Sequence, residues 1–281
     1  MTKTRIAVVA DVHHGRDTPT KKGSAALPLL SRFVDRADEH DAVIDLGDRI
    51  SDVNPEQDRV LQMAVVEQFK RLRVPRHHVS GNHDRALLSL EENERLLDAP
   101  SRDRVAEIGN VRIAFWQPDV SLSPQRGFHL ADGDLAALSA LLDDDRPTLL
   151  VSHVPLARTS QSGNYYFENN PGHATYAESD AIRSVLAAAP CPVVAIAGHV
   201  HWNTLTVVDG TPHITLQSLT EAFISGAASE CSAVLEIDGD ILRWSVLGLE
   251  PFAVTLPWKR SKSKWMAPLA SFSERSRGAV F

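Results

Sequence analysis

The chain has 281 residues, with 29 basic against 36 acidic side chains and a formal net charge of −7. An apolar share of 43%, with five tryptophans and nine phenylalanines, is enough to bury a core and excludes a disordered chain. No run approaches the ~20 apolar residues that cross a bilayer, and the excess of acid argues against a nucleic-acid partner, whose phosphates need a basic face.

In chain order, residues 6–10 form a short apolar run that stops at Asp11. Five such residues are too few for a secretory signal. Residues 27–39 carry apolar side chains at three- and four-residue spacing, as a helix packed on a sheet does. The alternation continues with a strand at 42–46, a helix at 55–72 and a short strand at 76–80. A hairpin follows over 104–116 about Gly109-Asn110, then a helix over 132–142 with Asp132 as its expected N-cap. Next come a strand at 149–151, a helix over 179–189 with Ser179 as its expected cap, and a strand at 193–197. The last third changes character: Asp209-Gly210 and Asp238-Gly239 each separate alternating apolar runs, which reads as two hairpins. This order predicts an α/β fold in which two sheets pack together with helices outside.

One domain is expected over residues 1–258. Residues 259–281 hold six basic side chains (Lys259, Arg260, Lys262, Lys264, Arg275, Arg277) against Glu274. Such a basic tail suits a solvated terminus, or a contact with a partner subunit or an anionic ligand. Cys191 and Cys231 alone build neither a disulfide framework nor a four-thiolate zinc site, so a soluble, cytoplasmic protein is expected.

The strand ends carry the chemistry. They read Asp11-Val12-His13, Gly47-Asp48, Gly81-Asn82-His83-Asp84, Ser152-His153 and Gly198-His199-Val200-His201. Ligands of open α/β sheets bind beyond the carboxyl ends of the strands, so five ends deliver carboxylate, amide and imidazole to one edge. Residues i and i+2 of an extended chain point the same way, which brings Asp11 with His13 and His199 with His201 to one centre. The valine between each pair is expected to face packing, and the glycines at 47, 81 and 198 to turn the chain. Nitrogen and oxygen donors without thiolate suit Mn, Fe or Zn. Asp11, His13, Asp48, Asn82, His153, His199 and His201 are too many donors for one ion, and a bridging carboxylate would join two. Two divalent ions against Asp11, Asp48 and a hydroxide leave a local positive charge, which suits a phosphate oxygen.

This ordered set, spanning residues 11–201, resembles the calcineurin-like metallophosphoesterase superfamily. The resemblance implies a four-layer αββα sandwich of two mixed β-sheets flanked by helices. It implies that Asp11, His13 and His201 hold one metal, that Asn82, His153 and His199 hold another, and that Asp48 bridges them. It further implies that a P–O ester bond is split by a metal-bridging hydroxide, while His83 contacts the phosphate and protonates the leaving oxygen. Asp84 is grouped with His83 as catalytic, and which carboxylate orients the imidazole stays open. Ser51 stands where protein-phosphatase relatives carry a second acid and where purple acid phosphatases carry a tyrosine ligand. Asp84 at the end of the third motif is the style of bacterial phosphodiesterases, nucleotidases and nucleases. A phosphodiesterase is therefore expected, acting on a nucleotide or other small phosphodiester. A phosphomonoesterase, a nucleotide pyrophosphatase and a nuclease are the alternatives on the same site, and a homo-oligomer is possible.

Substrate contacts are less marked. His14 follows a ligand and suits either a substrate contact or a supporting role. Arg49 and Arg16 suit either phosphate oxygens or salt bridges. The polar, aromatic segment 158–176 is long for an idle connection. Tyr165, Tyr166 or Phe167 from it would stack on a base or leaving group, or pack on the body as a surface loop.

Overall fold

The computed structural model describes residues 3–258 together with 269 and 271, so the basic tail and Trp265 lie outside the described residues. Among the described residues, twelve strands form two six-stranded mixed sheets. The first has the order β12-β11-β10-β1-β2-β3, where β1 is Thr4–Val9, β2 Ala42–Asp45, β3 Arg76–His78, β10 Ser232–Asp238, β11 Ile241–Leu247 and β12 Phe252–Pro257. The second has the order β4-β5-β6-β7-β9-β8, where β4 is Arg104–Ile108, β5 Val111–Phe115, β6 Thr148–Val151, β7 Val193–Ala197, β8 Thr204–Val208 and β9 Thr211–Thr215. Within each sheet the central strands run parallel: β1-β2-β3 in one, β5-β6-β7-β9 in the other.

The helices are α1 (Ala26–Ala37), α2 (Pro55–Phe69), α3 (Asn82–Arg85), α4 (Leu90–Leu97), α5 (Asp134–Leu141) and α6 (Ser179–Ala188). Alternation along the strands builds the layers. Ile6, Val8, Ile44, Leu149, Val151 and Ile196 face the core between the sheets, with Phe115 and Trp244 filling it. Ala7, Val9 and Val43 face the other way, against Leu30, Phe33 and Phe69 of α1 and α2. Leu150 and Ala195 meet Leu138, Ile182 and Leu186 of α5 and α6. Each such fully buried Leu or Phe contributes about 1.5–3 kcal/mol of transfer free energy. The result is the expected αββα sandwich, and each expected hairpin is formed. Trp244 and Trp258 belong to its core.

Both expected caps are displaced by one residue. The N-cap of α5 is Gly133, at φ +96°, a left-handed turn that Asp132 would enter only with strain. The N-cap of α6 is Glu178, and Ser179 is the first helical residue, its hydroxyl without a partner. Asn54, by contrast, caps α2 in the ordinary way, accepting a 2.9 Å bond from the Gln57 amide. The edge strand β12 and the Ser89-capped α4 were not among the expected elements. No helix among the described residues is long and apolar enough to cross a membrane. Cys191 and Cys231 are both buried, and neither is in a disulfide.

Candidate metal centre

All seven expected donors meet at the edge where the parallel strands of both sheets end. The backbone does this differently from a straight extension of the strands. β1 stops at Val9, and Asp11, His13, Asp48, His199 and His201 all adopt left-handed φ, between 46° and 69°. Asp11 with His13, and His199 with His201, therefore converge through successive tight turns rather than through the i, i+2 pleat. Held strain of this kind costs of order 1–3 kcal/mol per residue and persists only where the surroundings over-determine it. Val12 and Val200 do face packing, as expected. Gly47, at φ +94°, turns the chain, whereas Gly81 is needed because a Cβ there would collide with the Asp48 carboxylate.

The donors fall into two sets with Asp48 between them. Asp11, His13 and His201 form one compact group, and Asp48, His153 and His199 form another. Asp48 Oδ1 is occupied by the His83 amide at 2.8 Å. Its Oδ2 lies 3.4 Å from His153 Nε2 and 3.7 Å from His13 Nε2, so one oxygen faces both groups. Asn82 Oδ1 lies 3.3 Å from His153 Nε2. The imidazoles are oriented from behind. His153 Nδ1 donates to the Leu46 carbonyl at 2.7 Å, His199 Nε2 to the His173 carbonyl at 2.8 Å, and His201 Nδ1 to Glu221 at 2.5 Å.

Each of these bonds leaves the other ring nitrogen, with its lone pair, aimed inward. His13 Nε2 and His201 Nε2 then face each other across 2.9 Å, and His201 Nε2 is 3.3 Å from Asp11. Buried lone pairs and carboxylates converging on common points fit divalent cations. Burial, with Lys21 and His201 nearby, holds the His13 imidazolium well below its usual pKa, and burial with His153 nearby brings His199 down to about 3. Burial acts in the same sense on His153 and His201. Asp48 outweighs it for His153, and Asp11 with Glu221 for His201, so both rise to about 9, and each would give up its inward proton to free that lone pair for a cation.

The sequence matches the calcineurin-like phosphoesterase family (Metallophos) over residues 4–203. The chain belongs to that family. Similar solved structures carry the same fold at low identity. A dimetal phosphatase from Danio rerio has a TM-score of 0.71 at 17% identity, covering 91% of this chain and 99% of that one. GAP50, the anchor in the inner membrane complex of Plasmodium, has a TM-score of 0.54 at 15% identity, covering 92% and 90%. The phosphopantetheinyl hydrolase PptH from Mycobacterium tuberculosis has a TM-score of 0.50 at 14% identity, covering 77% and 90%. No curated protein matches the sequence. This phosphoesterase family uses a dinuclear divalent metal site, which the two donor sets fit; the identity of the ions does not follow from them.

The remaining expected residues divide. His83 is half-buried at the rim, its ring 4.9 Å from that of His13, and its Nδ1 is hydrogen-bonded to Asp52. That bond is the first cause holding the Asp52 carboxyl below its usual pKa. Asp84 does not touch the His83 ring. It is fully buried, where it accepts the amides of Asp48 and Arg49 at 2.9 Å each and of Gly81 at 3.0 Å. Its work is to hold the turns, and the carboxylate that orients His83 is Asp52.

Arg49 does not reach the pocket either. It is fully buried, pairing with Asp45 at 2.7 Å and Asp84 at 3.0 Å, because those two carboxylates would otherwise be desolvated without a counter-charge. His14 pairs through its backbone with Ile50, and its Nδ1 is buried without a hydrogen-bond partner. Arg16 is exposed.

In the 158–176 segment, Phe167 is buried against the His199 ring at 5.2 Å, which makes it packing rather than a substrate platform. Tyr166 bonds His173 Nδ1 at 2.9 Å, on the residue whose carbonyl orients His199. Tyr165 remains 44% exposed, beside Phe223 at 4.9 Å. Glu221, Asp52 and Lys21 carried no motif. The one available signal was Asp52, four residues after Asp48 and next to Ser51, which stands where relatives carry a second acid.

Proposed function

We propose that the protein is a dinuclear metal-dependent phosphodiesterase acting on a small phosphodiester. The observation that carries this reading is the complete donor set, joined through Asp48, beside a half-exposed imidazole held by a carboxylate. Asp11, His13 and His201 would hold one divalent ion, Asn82, His153 and His199 the other, and Asp48 would face both. Ions bound there supply Lewis acidity toward phosphoryl oxygens and acidify water.

The protein's own groups do the rest. Asp52 fixes His83 through Nδ1, so the imidazole presents Nε2 toward the centre and can deliver a proton to a departing alkoxide. The strained turns keep the donors in place before substrate arrives, which reduces reorganisation during the reaction. The diester preference is supported by charge. Among the described residues no guanidinium is hydrogen-bonded to any of the seven donors, since Arg49 is engaged by Asp45 and Asp84. A monoanionic diester asks for less positive charge from side chains than a dianionic monoester.

Hydrolysis of bis-p-nitrophenyl phosphate against p-nitrophenyl phosphate tests the preference, and faster turnover of the monoester would reverse it. For the proton donor, His83→Ala is expected to lower turnover by about 10²–10⁴-fold with two metal ions retained per chain. Unchanged turnover would remove His83 from the reaction.

A further inference from the structure

Lys21 stands on the segment between Asp17 and Gly23, which folds back over the turn bearing His13. Both ends of its short loop are tied. Thr18 N donates to the Lys21 carbonyl at 2.8 Å and Lys21 N to the Thr18 hydroxyl at 3.0 Å, while Lys22 N donates to the Thr220 carbonyl at 2.9 Å. On the other side Ala222 N donates to the Thr20 carbonyl at 2.6 Å, and Lys21 pairs through its backbone with Glu221. A lysine on a free loop would sample solvent, whereas this one is held.

Its side chain is half-buried, and it forms no ion pair among the described residues. Its side-chain neighbour is His13 Nδ1 at 3.4 Å, and the charges it senses are Asp48, Glu221, Asp11 and Asp52. Glu221 is already committed to His201 and Asp52 to His83. Once the proposed ions neutralise Asp11 and Asp48, the ammonium faces a centre whose net charge is positive. A half-buried cation held beside a cationic centre without an ion-pair partner is unfavourable unless an anion shares the space. The position is thus built for an anion that the protein does not itself provide.

We propose that Lys21 binds a non-bridging oxygen of the substrate phosphoryl group, a lone ammonium matching the single charge of a diester where no guanidinium is available. This rests on the phosphoesterase reading for its substrate, but its test does not require turnover. Inorganic phosphate is titrated calorimetrically into the manganese-loaded full chain and into its Lys21→Met and Lys21→Arg variants, with metal content measured on each.

Loss of a charge-assisted hydrogen bond is expected to weaken phosphate about 10- to 100-fold in Lys21→Met, with two ions retained. Lys21→Arg should recover part of the affinity. In the wild-type chain, phosphate should slow acylation of Lys21 followed by mass spectrometry, a measurement that needs no variant to fold. Phosphate affinity unchanged in a metal-replete Lys21→Met, or acylation of Lys21 that phosphate does not slow, would overturn the proposal. So would a variant that loses its ions together with its phosphate affinity, since Lys21 would then serve the metals. If no ester is hydrolysed but phosphate binding still depends on Lys21, the phosphodiesterase reading fails and this one stands.

Discussion

The two sheets bring their donors to the centre by different means. On the first sheet, Asp48 and Asn82 stand on turns fastened by a buried polar lattice. Arg49 joins Asp45, Asp84 and the Val79 carbonyl, and Gln62 joins Arg49 to Asn93, which bonds the Asp84 carbonyl at 2.9 Å. On the second sheet, His153, His199 and His201 are each oriented by one hydrogen bond to the far ring nitrogen. The first arrangement fixes backbone and side chain together, so damage there should spread into stability. The second fixes single rings, so damage there should stay with one ion.

The largest effect is expected at the residue the two halves share. Asp48→Asn replaces the anionic oxygen that faces both groups, and is expected to leave the protein without either metal and without activity. Elemental analysis reporting two ions per chain would contradict a bridging role. Arg49→Ala comes next, although it touches no donor side chain. It leaves Asp45 and Asp84 buried without their counter-charge, a loss of about 3–5 kcal/mol when one partner of a buried pair is removed. Urea unfolding reads this directly, and a loss no larger than that of a surface substitution would show the lattice to be inert.

Glu221→Gln tests the second sheet. The amide keeps the shape but withdraws the charge behind His201, and a change of that kind costs about 10–100-fold in metal affinity. The loss should fall on the ion proposed for Asp11, His13 and His201, leaving the other in place. Equal weakening of both ions would mean that the imidazole side is as interlocked as the carboxylate side.

The same contrast explains what could be read from the sequence. The strands at 6–10, 42–46 and 193–197 announced themselves because each is apolar on both faces and stops at a polar residue, and the donors followed as what lies beyond those stops. Asp84 was grouped with His83, and Arg49 was left between phosphate and salt bridge, because a motif gives adjacency and not direction. Both turn inward to satisfy each other and Asp45, and nothing local to either residue signals that. Glu221 and Lys21 were invisible for a related reason: they meet His201 and His13 only after the segment following β9 and the 17–22 loop have been brought together by the fold. The left-handed turns at the donors were unreadable as well, because Asp and His are ordinary residues in strands and only tertiary packing holds them there.

The smallest effect compares the two sheets away from the centre. Each carries a histidine kept neutral by burial, His77 on β3 stacked on Phe115 at 5.2 Å, and His213 on β9, whose Nδ1 is buried without a partner. Burial brings each from 6.5 down to about 4, with Arg104 adding to it for His77. Unfolded, each takes a proton near 6.5; folded, it resists one until about 4. Between those values the unfolded state holds more protons, so the stability from the neutral rings is complete above 6.5 and lost as the pH falls toward 4. Going from pH 7 to pH 5 should cost about 1–2 kcal/mol for His213 and somewhat less for the half-buried His77. Urea midpoints at the two pH values, for the wild-type chain and for His213→Gln and His77→Gln, measure each share. A variant that loses as much stability on acidification as the wild type would remove that histidine from the account, and a larger share for His77 would reverse the order of the two sheets.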